Sequence, residues 1–127
     1  PERDGIWTGL TIWELMAISG KKLSELIDEV DSITGSFAFE RLDLDLNKNL
    51  RNKLLDKCRN DDFTSFGEYT ISHVENLDGY KYFLGENRWV MIRASGSAPI
   101  IRIYVEAPDK EEVIAIINAV VNSINII

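Results

Sequence analysis

The chain has 127 residues, 45% of them hydrophobic and 28% charged, with a formal net charge of −7. At about this length a chain buries roughly two-thirds of its unfolded surface, which gives one domain's worth of packed core and excludes a disordered tail. The acidic balance repels nucleic-acid backbones and anionic membrane surfaces, so neither is expected as a partner, and an anion that binds must find a local basic pocket.

The chain opens on Pro1 rather than methionine, as expected of a processed product or a piece of a longer chain. Asp4 is placed to cap a first helix carrying Ile6, Leu10, Trp13 and Ala17 at helical spacing, with Gly20 as its stop. Leu23, Leu26, Ile27 and Val30 then mark one face of a shorter helix. These elements assign residues 1–34 to a helical segment or linker, and residues 35–127 to the domain that follows. The period changes at Leu42, Leu44 and Leu46, which alternate with Asp43 and Asp45 as in a half-buried strand. The two aspartates have no third ligand near them in sequence and read as a solvated face rather than a metal site.

Residues 47–60 return to helical spacing through Leu50, Leu54 and Cys58. Cys58 is the single cysteine. It rules out an internal disulfide, fits a reducing cytoplasm, and reads as a small buried hydrophobe rather than a nucleophile. Residues 60–67 read as a loop, and 69–75 as a strand containing the single histidine, His73, in a structural role. Asp78-Gly79 is a hairpin-turn signal. Strands over 80–84, 88–93 and 100–107 follow, the first two joined through Gly85-Glu86-Asn87. A closing helix begins after Pro108 with Asp109 and Glu112 as an acidic capping box, and carries Val113, Ile116, Ile117, Val120, Val121 and Ile124. No segment has the length and apolarity of a membrane span, and no signal peptide is seen. Hairpin-sized connections predict an α+β fold, a mostly antiparallel sheet of four to five strands with helices on one face.

The stretch Arg93-Ala94-Ser95-Gly96-Ser97-Ala98-Pro99-Ile100-Ile101-Arg102 lies between two of these strands. If the strands pair, Arg93 and Arg102 flank the base of a loop whose tip holds two hydroxyls and a glycine. Guanidinium groups match phosphate oxygens through paired N–H bonds, and glycine lets backbone amides approach a ligand. The same residues also fit an ordinary turn, with both arginines paired to carboxylates such as Glu106. The loop is not a Walker motif, because the Gly-Lys-Ser/Thr ending and following helix are absent.

This loop, with Arg102-Ile103-Tyr104-Val105-Glu106-Ala107 after it and Asp78-Gly79-Tyr80-Lys81 before it, resembles the phosphate-binding region of the α-D-phosphohexomutases, the phosphoglucomutase and phosphomannomutase enzymes. Trp89-Val90-Met91-Ile92 resembles the strand entering that loop, and Asp4-Gly5-Ile6 with its helix resembles the end of the family's third domain. Ala94 stands for the usual proline, Ser97 for threonine and Ala98 for the common glutamate. The resemblance implies the C-terminal domain of such an enzyme, with a fold like that of the TATA-box-binding protein. It also implies that Arg93, Ser95, Gly96, Ser97 and Arg102 hold the non-reacting phosphate of a phosphorylated hexose. The family's phosphoserine motif, aspartate-rich Mg2+ loop and sugar-reading motif have no counterpart in this sequence. No catalytic residue, metal ligand or cofactor is therefore expected within the chain, and catalysis would need the other domains with their Mg2+. The alternatives are a standalone anion-sensing domain or a protein-interaction module, the latter suggested by Trp7 and Trp13.

Overall fold

The computed structural model describes residues 4–96 and 98–125. The chain divides into two compact units between Ser36 and Phe37.

The first unit holds α1 (Gly5–Ser19) and α2 (Leu23–Thr34). The Asp4 carboxylate accepts the Trp7 N–H at 2.9 Å, and Gly20 ends α1 with a φ of 68°. That left-handed conformation is cheap for glycine, which has no Cβ to clash. Neither helix has a buried residue, and Ile6, Trp7, Trp13 and Ile18 are all strongly exposed.

The second unit is an α+β assembly. Its elements are β1 (Ala38–Asp45), α3 (Lys48–Arg59), β2 (Ser65–Phe66), β3 (Tyr69–Thr70), β4 (His73–Glu75), β5 (Tyr80–Phe83), β6 (Trp89–Ala94), β7 (Ile100–Ala107) and α4 (Lys110–Asn125). A five-stranded sheet runs in the order β1-β7-β6-β5-β4, and β2 pairs with β3 separately. Every pairing is antiparallel.

Alternation along the strands separates the two faces of the sheet. Ile101, Ile103, Val105 and Ala107 of β7 are buried, as are Val90 and Ile92 of β6 and Tyr82 of β5. They pack in one core with Leu54 and Cys58 of α3 and with Val113, Ile116, Val120 and Ile124 of α4. Both helices are set by side-chain caps. The Asn47 carbonyl accepts from the Leu50 N–H at 3.0 Å, and the Asp109 carboxylate from the Glu112 N–H at 2.8 Å.

One expectation needs correcting. Residues 69–75 are not a single strand. Tyr69–Thr70 folds back on Ser65–Phe66, within the region read as a loop, whereas His73–Glu75 joins the main sheet against β5. The break falls at Ile71 and Ser72. Ile71 donates its N–H to the Thr64 carbonyl at 3.0 Å, and Ser72 donates its N–H to Phe83 at 2.8 Å. Two different partners claim the two halves of one β-prone run, a tertiary choice that local propensity does not encode.

Cys58 is fully buried, and burial pushes its thiol up to about 11. A thiol whose folded pKa lies above its unfolded value of 9.0 keeps its proton, so its contribution to stability is intact below pH 9 and is lost as pH rises towards 11. We expect a thiol-specific reagent at pH 8 to label the folded chain only as fast as it unfolds. Prompt stoichiometric labelling without denaturant would contradict this packing.

Candidate functional site

The exposed face of the sheet can be read as rows of opposed residues. In antiparallel strands, directly opposed side chains project to the same side with Cβ atoms about 5 Å apart. One row is Asp43 on β1, Arg102 on β7 and Arg93 on β6. The next is Arg41, Tyr104, Met91, Lys81 and Glu75, and the third is Phe39, Glu106, Trp89, Phe83 and His73. Arg93 and Arg102 are therefore immediate cross-strand neighbours on one face, at the end of the sheet where the β6–β7 loop emerges. Like charges set directly opposite each other oppose folding. An incoming anion would relieve that repulsion.

The loop is closed at its base by the Ser95 N–H, which donates to the Ile100 carbonyl at 3.0 Å. Ser95 is only 7% exposed, and its Oγ has no hydrogen-bond partner among the described residues. The buried Nε of Arg102 likewise has none among them. Buried donors are normally satisfied; these two lie beside one loop, and among the described residues Arg51 Nε and the Tyr82 hydroxyl share the condition elsewhere. Gly96 is exposed, and a Cβ built on it would meet nothing within 4 Å. Glycine is not demanded there by crowding; its value is the open space over the backbone. Ser97, the other expected hydroxyl, lies outside the described residues.

Arg93 is held differently from Arg102. Its Nη1 donates to Asp78 Oδ2 at 2.9 Å. The Asp78-Gly79 turn packs directly on it. A Cβ on Gly79 would lie 3.1 Å from both the Arg93 Cβ and the Ile92 carbonyl oxygen, and Gly79 has a φ of 144°. The turn and Arg93 are thus locked together by sterics and by charge. Glu106, the carboxylate considered from sequence as a partner for the arginines, instead accepts from Trp89 Nε1 at 2.8 Å in the third row.

A concavity of about 510 Å³ opens beside the loop, lined by Arg93, Gly96, Asp78, Gly79, Leu55 and Arg59 among others. Arg59, at the end of α3, was not picked out from sequence. It pairs with Asp56 at 2.6 Å. The signal available was compositional: α3 carries Lys48, Arg51, Lys53, Lys57 and Arg59 against one acidic residue, Asp56, in a chain of net charge −7. The remaining sequence candidates stay outside the site. His73 is exposed and stacks on Phe83 with ring centroids 4.0 Å apart. Cys58 lies in the core. Among the described residues, no group of three or more His, Cys, Asp or Glu is arranged to hold a metal ion. No described helix is long and apolar enough to cross a membrane.

Comparison with known proteins bears on this geometry. Residues 21–123 match the family model described as phosphoglucomutase/phosphomannomutase, C-terminal domain. The chain is 35% identical over 108 residues to a phosphoglucosamine mutase of Methanococcus maripaludis, covering 85% of this chain and 22% of that protein. It is 34% identical over 117 residues to a phosphoglucosamine mutase of Methanocaldococcus jannaschii, covering 86% of this chain and 22% of the relative. A phosphoglucomutase/phosphomannomutase of Thermococcus kodakarensis is 34% identical over 110 residues, again with 87% of this chain and 22% of the relative covered. The chain thus spans about a fifth of the length of these relatives.

The contact at the turn gives a direct expectation. Gly79→Ala places a methyl group against Arg93 in a strained conformation and should cost about 1–3 kcal/mol. The measurement is the thermal midpoint together with the Arg93 side-chain NMR signals. An unchanged midpoint with unmoved signals would show that the turn does not press on Arg93.

Proposed function

The chain belongs to the phosphoglucomutase/phosphomannomutase C-terminal domain family, and from that premise we propose that its β6–β7 loop holds the phosphate group of a phosphorylated hexose in a longer mutase. The observation that carries this reading is the directly opposed pair Arg93 and Arg102 at the mouth of a loop with a buried serine hydroxyl that has no partner among the described residues.

In this reading each residue has a definite task. Arg93 and Arg102 supply fixed positive charge and forked N–H donors. Ser95 offers its Oγ, Gly96 an unshielded backbone approach, and Ser97 a further hydroxyl. Ala98 supplies no carboxylate, so the loop carries none of its own between Arg93 and Arg102. The phosphate held here is the one not being transferred. Anchoring it fixes the distance and direction of the reacting hydroxyl, and such positioning is a large part of phosphoryl-transfer catalysis. The overall reaction is an isomerisation, in which a phosphoryl group moves between two hydroxyls of one sugar. The phosphoserine and Mg2+ that this chemistry uses would belong to parts of the enzyme beyond this chain. Relatives named for phosphoglucosamine weigh towards an aminosugar phosphate as one substrate.

The test is a titration of the full chain with inorganic phosphate and with glucosamine 6-phosphate, followed by amide shifts across residues 93–102. Arg93→Ala and Arg102→Ala should each weaken binding by about tenfold or more, the value of one charge-assisted contact. In a complete enzyme Arg93→Ala should raise KM and lower kcat/KM. Shifts that map elsewhere, or affinities indifferent to both arginines, would remove the loop from consideration.

A further inference from the structure

The row containing both arginines also contains a carboxylate. Asp43 faces Arg102 directly across the β1–β7 ladder, on the side away from Arg93. A carboxylate at that distance is the natural counter-ion for a guanidinium, and it would compete with any phosphate for the same N–H groups. Yet no ion pair to Arg102 exists among the described residues, and its buried Nε has no partner among them. Two residues back on the same strand and the same face stands a competitor for that carboxylate. Arg41 Nε sits 2.9 Å from Asp43 Oδ1, and Arg41 Nη2 donates to Asp43 Oδ2 at 3.0 Å. Both oxygens of Asp43 accept from one fork.

We infer that Arg41 is a positioning residue for this site: by occupying both oxygens of Asp43 it keeps the Arg102 guanidinium uncommitted for an incoming phosphate. The inference rests on the phosphate-holding role proposed above. Arg41 itself lies in the next row, opposite Tyr104, and need not touch the ligand. Its geometry is the forked guanidinium–carboxylate match that lysine cannot reproduce. Asp45, exposed on the same face and opposite Ile100, gives a control of equal charge outside that fork.

The experiment measures affinity of the full chain for inorganic phosphate in wild type, Arg41→Ala, Arg41→Lys, Asp43→Asn, Asp45→Asn and the two double variants Arg41→Ala/Asp43→Asn and Arg41→Ala/Asp45→Asn. Arg41→Ala frees Asp43 to pair with Arg102 and should weaken binding about two- to fivefold, the scale of one partly exposed ion pair. Arg41→Lys keeps the charge but loses the fork, and should fall between wild type and Arg41→Ala. Asp43→Asn should strengthen binding at least twofold more in the Arg41→Ala background than in wild type, a coupling that simple charge addition does not produce. Asp45→Asn should have the same effect in either background. The Arg41–Asp43 pair is half exposed, and unshifted amide signals in the core confirm that each variant is folded. An unchanged affinity in Arg41→Ala, or an equal effect of Asp43→Asn in both backgrounds, overturns the inference while leaving the phosphate site standing. A wild-type chain that binds no phosphate ends both.

Discussion

The arrangement depends on one register: Arg93 opposite Arg102 in the β6–β7 ladder. Side-chain period in a strand is two, so a slip of one residue would send one of these arginines towards the core and bring a buried Ile to the surface. Burial of Ile92, Ile101 and Ile103 on the other face fixes that register. The same hydrophobic contacts that hold the sheet to α4 therefore set the spacing of two positive charges on the opposite side. Packing and charge placement are here consequences of a single alternation.

Around that pair, the molecule manages charge unevenly. Arg93 is held by Asp78, on a turn whose glycine abuts it. Among the described residues Arg102 has no carboxylate partner, although one stands beside it in the ladder. Arg41 accounts for the difference by engaging Asp43 with two contacts. Exposed ion pairs contribute little to stability, typically below about 1 kcal/mol. Their significance in this corner is which donors they leave open.

Much of the scaffold was legible in the sequence. The alternation from Ile100 to Ala107, the stripe of the last helix and the capping residues Asp4 and Asp109 all stand where their patterns place them. The loop and its flanking arginines were legible as a motif. What escaped was everything decided between strands. Residues 69–75 hold one β-prone run whose halves pair with different partners. Asp43 reads locally as a wet strand position, and only the ladder sets it against Arg102. Arg41 meets Asp43 along its own strand and Asp78 meets Arg93 from a turn before β5, and a lone charged residue in a sequence carries no sign of which neighbour it will meet.

The Arg93–Asp78 contact has a consequence for exchange. One guanidinium nitrogen is already engaged by an oxyanion of the protein's own. In the proposed role, a phosphate arriving through the full fork of Arg93 would trade places with a resident carboxylate instead of filling a bare charge, and on departure the carboxylate would be there to take its place. Such a substitution lowers the depth of the bound state and the barrier to leaving it together. A site built this way favours turnover of its ligand over retention.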